Sequence, residues 1–272
     1  MRAAHSARML CLLLLGGSLA PHVAAADVAR LSNPGHPPTA DAAALAGAAE
    51  APQSAPVRGP KRADFRQENA SADARHVADW VVDAGDNLGL PFVIVDKSQA
   101  RVFVFNAGGQ LGGAAPALLG LARGDDSAPG IGDRELSRIP PEQRTTPAGR
   151  FVAALGRNFG DKDILWVDYD NAISLHRVIT TNPRDHRLER LASESPLDNR
   201  ISYGCINVPQ KFYDNVVKPA FTGTDGIVYV LPETRPARAV FMSYDVEEHW
   251  RPRTVGQAAL PQPGGRSAER AR

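Results

Sequence analysis

The chain has 272 residues, with 31 Lys and Arg against 30 Asp and Glu, and a formal net charge of +1. This length allows one medium-sized domain with a hydrophobic core. Nucleic-acid binding requires a basic surface, and the balanced composition gives no reason to expect one, so we predict no nucleic-acid partner.

The first 26 residues have the features of a secretion signal. Two arginines precede the apolar run Met9–Leu15, and three consecutive alanines that suit a signal peptidase end at Ala26. The apolar run is shorter than the roughly 20 residues that a helix needs to cross a bilayer. We therefore predict cleavage after Ala26, an exported protein in the periplasm or cell wall, and no stable membrane span.

Signal cleavage would leave the mature protein with a single cysteine. The sequence has two, Cys11 and Cys205, and Cys11 lies inside the apolar run. Exported proteins work in oxidising compartments, where an unpaired thiol is a liability unless it is buried or used. Cys205 is therefore a candidate for catalysis, and a buried structural cysteine is the alternative.

Composition divides the rest of the chain into a candidate domain and its flanks. Residues 27–75 are rich in Ala and Pro, and residues 251–272 have few large apolar residues, so we predict a disordered spacer and a disordered tail. Residues 76–91 are predicted to form an amphipathic helix packed on the domain. The domain itself is assigned to residues 92–235, and residues 236–250 to a C-terminal strand or extension.

From residue 92 onward the pattern favours strands. Runs rich in Val, Ile and Phe at 92–95 and 101–105 flank a short polar turn and predict a β-hairpin. Further candidate strands lie at 117–121, 150–155, 164–168, 172–179, 226–231 and 239–242. Two long polar loops, 123–147 and 180–200, and a helix after Pro209 lie between them. The predicted fold class is mainly β, a sandwich or partly closed barrel with a few short helices.

The sequence around Cys205 places a thiol directly after a glycine. Residues 202–207 are Ser-Tyr-Gly-Cys-Ile-Asn. Gly204 permits a tight turn whose N–H groups can hold a developing negative oxygen. A thiol also needs a base, because free cysteine is only slightly ionised at neutral pH. The candidate domain has two histidines: His176 ends an alternating strand that fixes its direction, whereas His186 lies in a polar segment, so His176 is the preferred base.

These motifs resemble those of the L,D-transpeptidases, or YkuD-type catalytic domains. Residues 202–207 resemble that family's active-site signature, and residues 146–151 (Thr-Pro-Ala-Gly-Arg-Phe) look like its TPxGxF motif. Residues 95–105 look like its opening hairpin, and the order of hairpin, TPxGxF, histidine and Gly-Cys also matches. The resemblance covers roughly residues 90–235, and it implies an L,D-transpeptidase catalytic fold for residues 92–235.

The resemblance implies a chemistry and a set of roles. Cys205 would attack the amide after the third residue of a peptidoglycan tetrapeptide stem and release the terminal D-alanine, with His176 as the base. Gly204 and Cys205, with Tyr203, would donate backbone N–H groups to the oxyanion. The resulting thioester would pass its acyl group to an amine acceptor. The implied partner is the stem peptide, and neither a cofactor nor a metal is implied.

Three polar residues complete the predicted site. Ser202 would orient the histidine or line the site, and Asn207 would fix the loop. Arg200 lies five residues before the cysteine. It is the preferred residue for binding a stem carboxylate, because a guanidinium can bind a carboxylate through two hydrogen bonds.

The sequence departs from the family pattern at three points. Tyr203 stands where many members carry His, and Arg177 follows His176 where Gly or Ser is common. The interval between His176 and Ser202 is 25 residues, longer than usual. Two alternatives therefore stay open: a cysteine hydrolase that passes the acyl group to water, cutting cross-links or wall–protein links, and a catalytically inactive wall-binding module. Either enzyme requires His176 within reach of Cys205, whereas a binding module does not.

Overall fold

The computed structural model describes residues 59–158 and 160–252. The predicted signal peptide (1–26), residues 27–58 of the predicted spacer and residues 253–272 of the predicted tail lie outside the described residues. Within the described ranges, every helix is too short or too polar to cross a bilayer.

Within the described residues, ten strands form two sheets. The strands are β1 (Phe92–Asp96), β2 (Arg101–Phe105), β3 (Leu111–Pro116), β4 (Leu119–Gly120), β5 (Gly149–Arg157), β6 (Asp163–Asp168), β7 (Ile173–Arg177), β8 (Arg200–Ser202), β9 (Ile206–Val208) and β10 (Gly226–Val230). Eight of them form one sheet in the order β3-β2-β1-β10-β5-β6-β7-β9, and β4 pairs with β8. The pairs β1–β10 and β7–β9 are parallel.

The helices are few and mostly short. They are α1 (Ala72–Ala84), α2 (Arg187–Ala192), α3 (Gln210–Phe212), α4 (Lys218–Phe221), α5 (Ala237–Phe241) and α6 (Val246–Trp250). A π-helical segment, Tyr213–Val217, joins α3 to α4. The long loop 123–147 contains three short 3-10 turns.

The two edges of the large sheet are linked at Leu118. This residue follows edge strand β3 and exchanges backbone hydrogen bonds of 2.8 and 2.9 Å with Asn207 of β9, the opposite edge. The sheet is therefore nearly closed on itself. The predicted fold class, mainly β with a partly closed barrel and a few short helices, is confirmed.

Each face of the sheet packs against its own core. All five residues of β1 are buried, which is typical of a strand covered on both sides. Val93 and Val95 lie in the first core with Leu175 and the helical segment from α3 to α4. Phe92 and Ile94 lie in the second core, which is rich in aromatic rings and covered by α1, α5 and α6. The first core supports the strands that carry the candidate site.

Two boundaries differ from the predictions. Helix α1 begins at Ala72, where the hydroxyl of Ser71 accepts a hydrogen bond from the N–H of Ala74, and it ends before Gly85 in the left-handed conformation. It therefore lies at Ala72–Ala84 rather than 76–91. Residues 236–250 form the helices α5 and α6, so the predicted strand at 239–242 was wrong. Capping explains α6, because Asp245 accepts a hydrogen bond from the N–H of Glu248.

Part of the predicted spacer is ordered on the domain. Phe65 is buried, with its ring 5.4 and 5.0 Å from the ring centres of Phe103 and Phe105. The neighbouring backbone of Asp64 bonds with Gly109 and Leu111. The prediction of disorder was therefore wrong for residues 59–75, because one aromatic side chain and a pair of backbone bonds anchor a segment of otherwise low hydrophobicity.

Candidate active site

The candidate site lies where β7 and β9 run side by side. Cys205 directly precedes β9, and His176 lies in β7, with His176 paired in register with Asn207. Adjacent strands are about 4.8 Å apart, so the pairing brings His176 and Cys205 close together. The two residues lie at opposite ends of the long segment 177–201, which we call the insertion. Leu175 points into the first core, and Ser174 and His176 therefore share the opposite face of β7.

The thiol of Cys205 lies between a hydrogen-bond donor and an acceptor. The hydroxyl of Ser174 donates to the Cys205 sulfur at 3.6 Å, and the thiol in turn donates to the carbonyl of Ala172 at 3.6 Å. Burial raises the pKa of the Cys205 thiol, but the interaction with His176 and hydrogen bonds from Ser174 outweigh it, so the pKa lies below its ordinary value. The site therefore stabilises the thiolate of Cys205 relative to that of a free cysteine.

The orientation of the His176 ring decides which nitrogen can act as a base. Its Nδ1 lies 2.7 Å from the backbone carbonyl oxygen of Arg177. A carbonyl oxygen only accepts hydrogen bonds, so Nδ1 carries the proton and Nε2 of the neutral ring keeps its lone pair. The Arg177 side chain is held elsewhere, by Asp163 and Asp214. The backbone carbonyl of Arg177 therefore orients the His176 ring. Any residue at position 177 could supply this carbonyl, so the contact does not depend on the arginine side chain.

Two side chains brace the backbone around the cysteine. Ser202 donates to the carbonyl of Cys205 at 2.6 Å and accepts from the N–H of Gly204 at 3.1 Å. The amide of Asn207 donates to the same Cys205 carbonyl at 3.1 Å. Ser202 therefore holds the turn itself, and the expectation that it orients His176 does not match its contacts.

The backbone N–H groups of the turn differ in their availability. The N–H of Gly204 is occupied by Ser202, so the expectation that it binds an oxyanion was wrong for this arrangement. The N–H groups of Tyr203 and Cys205 donate to no other residue within 59–158 and 160–252. They are the two donors of this turn that remain for a developing negative charge.

The TPxGxF segment, residues 146–151, stabilises the turn at Gly204 and Cys205 through Thr146. The hydroxyl of Thr146 donates to the carbonyl of Gly204 at 2.8 Å and accepts from the N–H of Gly120 at 2.9 Å. Gly204 has φ +133°, and an added Cβ would lie 2.8 Å from both the Thr145 carbonyl oxygen and the Ile173 side chain. Only glycine fits this position, for two reasons. A side chain would collide with the Thr145 backbone, and the positive φ is strained for any residue that carries a Cβ.

Replacing Gly204 with alanine should lower the free energy of unfolding by about 2–6 kcal/mol, the sum of backbone strain and overpacking. Gly223→Ala is the matched control, because Gly223 has φ +77° and an added Cβ would meet no atom within 4 Å. The control should cost about 1–2 kcal/mol. Chemical denaturation measures both values, and equal losses in the two variants would contradict a steric role for Gly204.

Arg200 does not lie where the predicted stem-carboxylate contact requires. Its guanidinium is buried, donates to Glu233 at 2.7 and 3.2 Å, and donates to the Lys97 carbonyl at 2.9 Å. These contacts occupy the two-point face that a substrate carboxylate would need. The substrate-binding prediction for Arg200 was therefore wrong, and the residue stabilises the strand that leads to the nucleophile.

Arg200 belongs to a buried network of four charged side chains, with Lys97, Asp125 and Glu233 as the other three. The Lys97 ammonium is fully buried, 2.9 Å from Asp125, and donates to the Thr146 carbonyl at 2.9 Å. Burial lowers the pKa of Lys97, opposed by Asp125. Burial raises the pKa of Asp125, but hydrogen bonds from Thr234 and Lys97 outweigh it and hold that pKa well below its usual range. Through Thr146 the network reaches the Gly-Cys turn.

The long insertion between His176 and Ser202 contacts the nucleophile loop. Arg187 in α2 donates to the side-chain oxygen of Asn207 at 2.9 Å and is itself held by Asp185 at 2.9 Å. Because Asn207 also donates to the Cys205 carbonyl, the insertion is connected to the nucleophile through two hydrogen bonds. His186, at the start of α2, is exposed and lies 3.8 Å from Glu189.

The insertion also forms one wall of a groove of about 670 Å³. Leu188 and Leu191 of α2 line it together with Val178 and Pro209. Val178 directly follows β7, and its N–H donates to the carbonyl of Val208 at 2.8 Å. The groove therefore lies where the chain leaves β7 and enters the segment that carries α2.

Arg144 and Ser174 are site residues that sequence reasoning missed. The Arg144 guanidinium stacks 4.1 Å above the Tyr203 ring, so a half-buried cation lies next to the Gly-Cys turn. The position of Arg144, just before the TPxGxF segment, was the available signal. Ser174 lies two residues before His176, a spacing that places two side chains on one face of a strand.

Among known proteins, solved structures of low identity are similar to the chain. No protein-family model and no curated protein matches it. Among solved structures, it is similar to the helical cell shape determining protein Pgp2 from Campylobacter jejuni, with 14% identity, a TM-score of 0.38, and coverage of 59% of this chain and 51% of that one. It is also similar to an L,D-transpeptidase from Mycobacterium tuberculosis, with 15% identity, a TM-score of 0.30, and coverage of 52% and 57%.

A third solved structure is the L,D-transpeptidase of Enterococcus faecium, with 16% identity, a TM-score of 0.28, and coverage of 52% of this chain and 49% of that one. The chain thus spans about half the length of these three proteins. Identities and TM-scores of this size do not establish a family or an activity.

The described part of the chain has no cluster of three or more His, Cys, Asp or Glu side chains arranged to hold a metal ion. The candidate site itself offers a thiol, an imidazole and backbone N–H donors. A thiolate beside an oriented imidazole and free N–H groups is suited to acyl transfer through a thioester.

Proposed function

We propose that this chain is a peptidoglycan L,D-transpeptidase that works through a thioester on Cys205. One observation carries the proposal: His176 lies in β7 and Cys205, 29 positions later in the sequence, directly precedes the paired strand β9, and the interaction of the two side chains lowers the pKa of the thiol. A wall-binding module has no need of an activated thiol. The motif resemblance supplies the substrate class, a tetrapeptide stem, and the predicted signal peptide would bring the enzyme to it.

Acylation begins with the thiol proton passing from the Cys205 sulfur to Nε2 of His176. The thiolate then attacks the carbonyl carbon of the amide after the third stem residue, and the carbonyl oxygen becomes negative. The N–H groups of Tyr203 and Cys205 donate to this oxyanion. As the C–N bond breaks, His176 returns the proton to the amine of the departing D-alanine, and the stem remains as a thioester.

Deacylation repeats the proton transfers in the opposite direction. An amine acceptor, such as the side chain of a diamino acid in a neighbouring stem, attacks the thioester carbonyl and loses a proton to His176. The C–S bond then breaks, the sulfur leaves with the bonding electrons and takes the proton back from His176, and a new amide joins the two stems. The Arg177 carbonyl keeps Nδ1 protonated throughout, so that Nε2 remains the atom that exchanges protons.

Mass spectrometry of the protein incubated with tetrapeptide muropeptides tests the proposal. We expect cross-linked products, or products in which a D-amino acid has replaced the terminal D-alanine, and we expect none with Cys205→Ala. Shortened stems or split cross-links without new amide bonds would identify a hydrolase. The absence of both adduct and product would refute enzymatic action on stems and favour the binding module.

A further inference from the structure

We propose that Ser174 is a further catalytic residue, whose hydroxyl donates a hydrogen bond to the Cys205 sulfur and stabilises its thiolate. The contact is direct, 3.6 Å from Oγ to Sγ. Its value to transpeptidation rests on the proposed function, but the contact itself concerns only the state of the thiol.

The surroundings of Ser174 leave its hydroxyl committed to the sulfur. The residue is 5% exposed, so water does not readily satisfy it. Within residues 59–158 and 160–252, the Cys205 sulfur is the one hydrogen-bond partner of this hydroxyl. A buried hydroxyl normally has a partner, and here that partner is the reacting atom.

The two neighbours of the sulfur favour opposite protonation states. The carbonyl of Ala172 accepts from the protonated thiol at 3.6 Å, and this contact is lost when the proton leaves. The hydroxyl of Ser174 is a donor, and a donor binds an ionised acceptor about twice as strongly as a neutral one. Hydrogen bonds from the Ser174 hydroxyl and backbone N–H are among the causes that lower the Cys205 pKa.

Ala172 itself has an uncommon backbone conformation. Its φ of +55° is in the left-handed region, which is costly for a residue with a side chain and recurs at functional sites. It ends the turn between β6 and β7, so its carbonyl and the Ser174 hydroxyl reach the sulfur from one short segment. The end of this turn and the start of β7 therefore position both the Ala172 carbonyl and the Ser174 hydroxyl at the sulfur.

Ser174 keeps its own proton through the reaction. The proton of the Cys205 thiol moves to Nε2 of His176, and the Ser174 O–H then points at the sulfur lone pair. When the C–S bond forms, the negative charge leaves the sulfur for the carbonyl oxygen and the Ser174 hydrogen bond weakens. Ser174 therefore raises the population of attacking thiolate without itself transferring a proton.

Alkylation of the thiol with iodoacetamide across a range of pH tests the assignment, because only the thiolate reacts. Thiolate ultraviolet absorbance gives a second reading. Ser174→Ala should move the midpoint of the rate profile to higher pH and slow alkylation at neutral pH about tenfold, the effect of one hydrogen bond to a charged group. The matched control is Ser243→Ala, a serine 6% exposed whose hydroxyl bonds with His76; it should leave the profile unchanged.

A second pair of variants separates the hydroxyl from packing. Ser174→Thr and Ser174→Val have nearly the same shape, but only Thr keeps the donor, so Thr should retain the low midpoint and Val should lose it. Equal midpoints for Thr and Val, or a wild-type midpoint in Ser174→Ala, would overturn the proposal. Alkylation requires no peptidoglycan, so a failure of the muropeptide experiment would leave this result independent.

Discussion

His176→Ala should slow formation of the acyl-enzyme by about 10²–10⁴-fold, the usual contribution of a general base, and Cys205→Ala should abolish it. The reason is that Nε2 of His176 is the acceptor for the thiol proton, and the same imidazole is a cause of the lowered Cys205 pKa. Intact-protein mass spectrometry during incubation with tetrapeptide muropeptides gives the rate of adduct formation directly.

His186→Ala is the control for this prediction. His186 is exposed on the insertion and lies 3.8 Å from Glu189, so its loss should leave the acylation rate unchanged. A His176→Ala variant with full activity would contradict the assignment of His176 as the base. If only His186→Ala slowed acylation, the base would be His186 of the insertion and not His176.

Lys97→Met should lower the free energy of unfolding by about 3–5 kcal/mol, because it leaves buried carboxylates without their cation. The Lys97 ammonium is 2.9 Å from Asp125 and 3.8 Å from Glu233, and all three side chains are at most 1% exposed. For a domain of this size the loss corresponds to a drop of about 6–20 °C in melting temperature. Thermal and chemical denaturation measure it.

Lys218→Met makes the same chemical change in a surface ion pair. Lys218 is 49% exposed and lies 3.3 Å from Asp163, and pairs of this kind contribute at most about 1 kcal/mol. If both variants lost the same small amount, the buried network would have no special part in stability. A large loss in Lys97→Met alone supports its role beneath the Gly-Cys turn.

Local pattern predicted those features whose cause lies within a few neighbouring residues. Continuous runs of Val, Ile and Phe predicted the hairpin of β1 and β2, because strands buried on both faces require such runs. The pair of Gly204 and Cys205 predicted a turn with a thiol, since only glycine tolerates the backbone geometry there. Helices and strands whose signal was mixed were misjudged: Ala- and Gly-rich β3 was missed, and helix α5 was predicted as a strand.

β3 shows why local propensity failed. Its sequence, Leu-Gly-Gly-Ala-Ala-Pro, has little preference for a strand, yet it pairs with β2 along its length. An added Cβ at Gly113 would lie 3.1 Å from the Val216 side chain. Gly113 therefore lets the helical segment with Val216 pack closely against the strand, a contact with a residue far along the chain.

The sequence alone determined the nucleophile candidate, the base candidate and the mainly β class, because each depends on residue type and short spacing. The tertiary structure decided what each polar side chain touches. Arg200 lies close to the cysteine in sequence yet binds Glu233, while Ser174, distant in sequence, donates to the sulfur. The physical reason is that strand pairing and barrel closure, and not sequence distance, set which donors and charges meet in the interior.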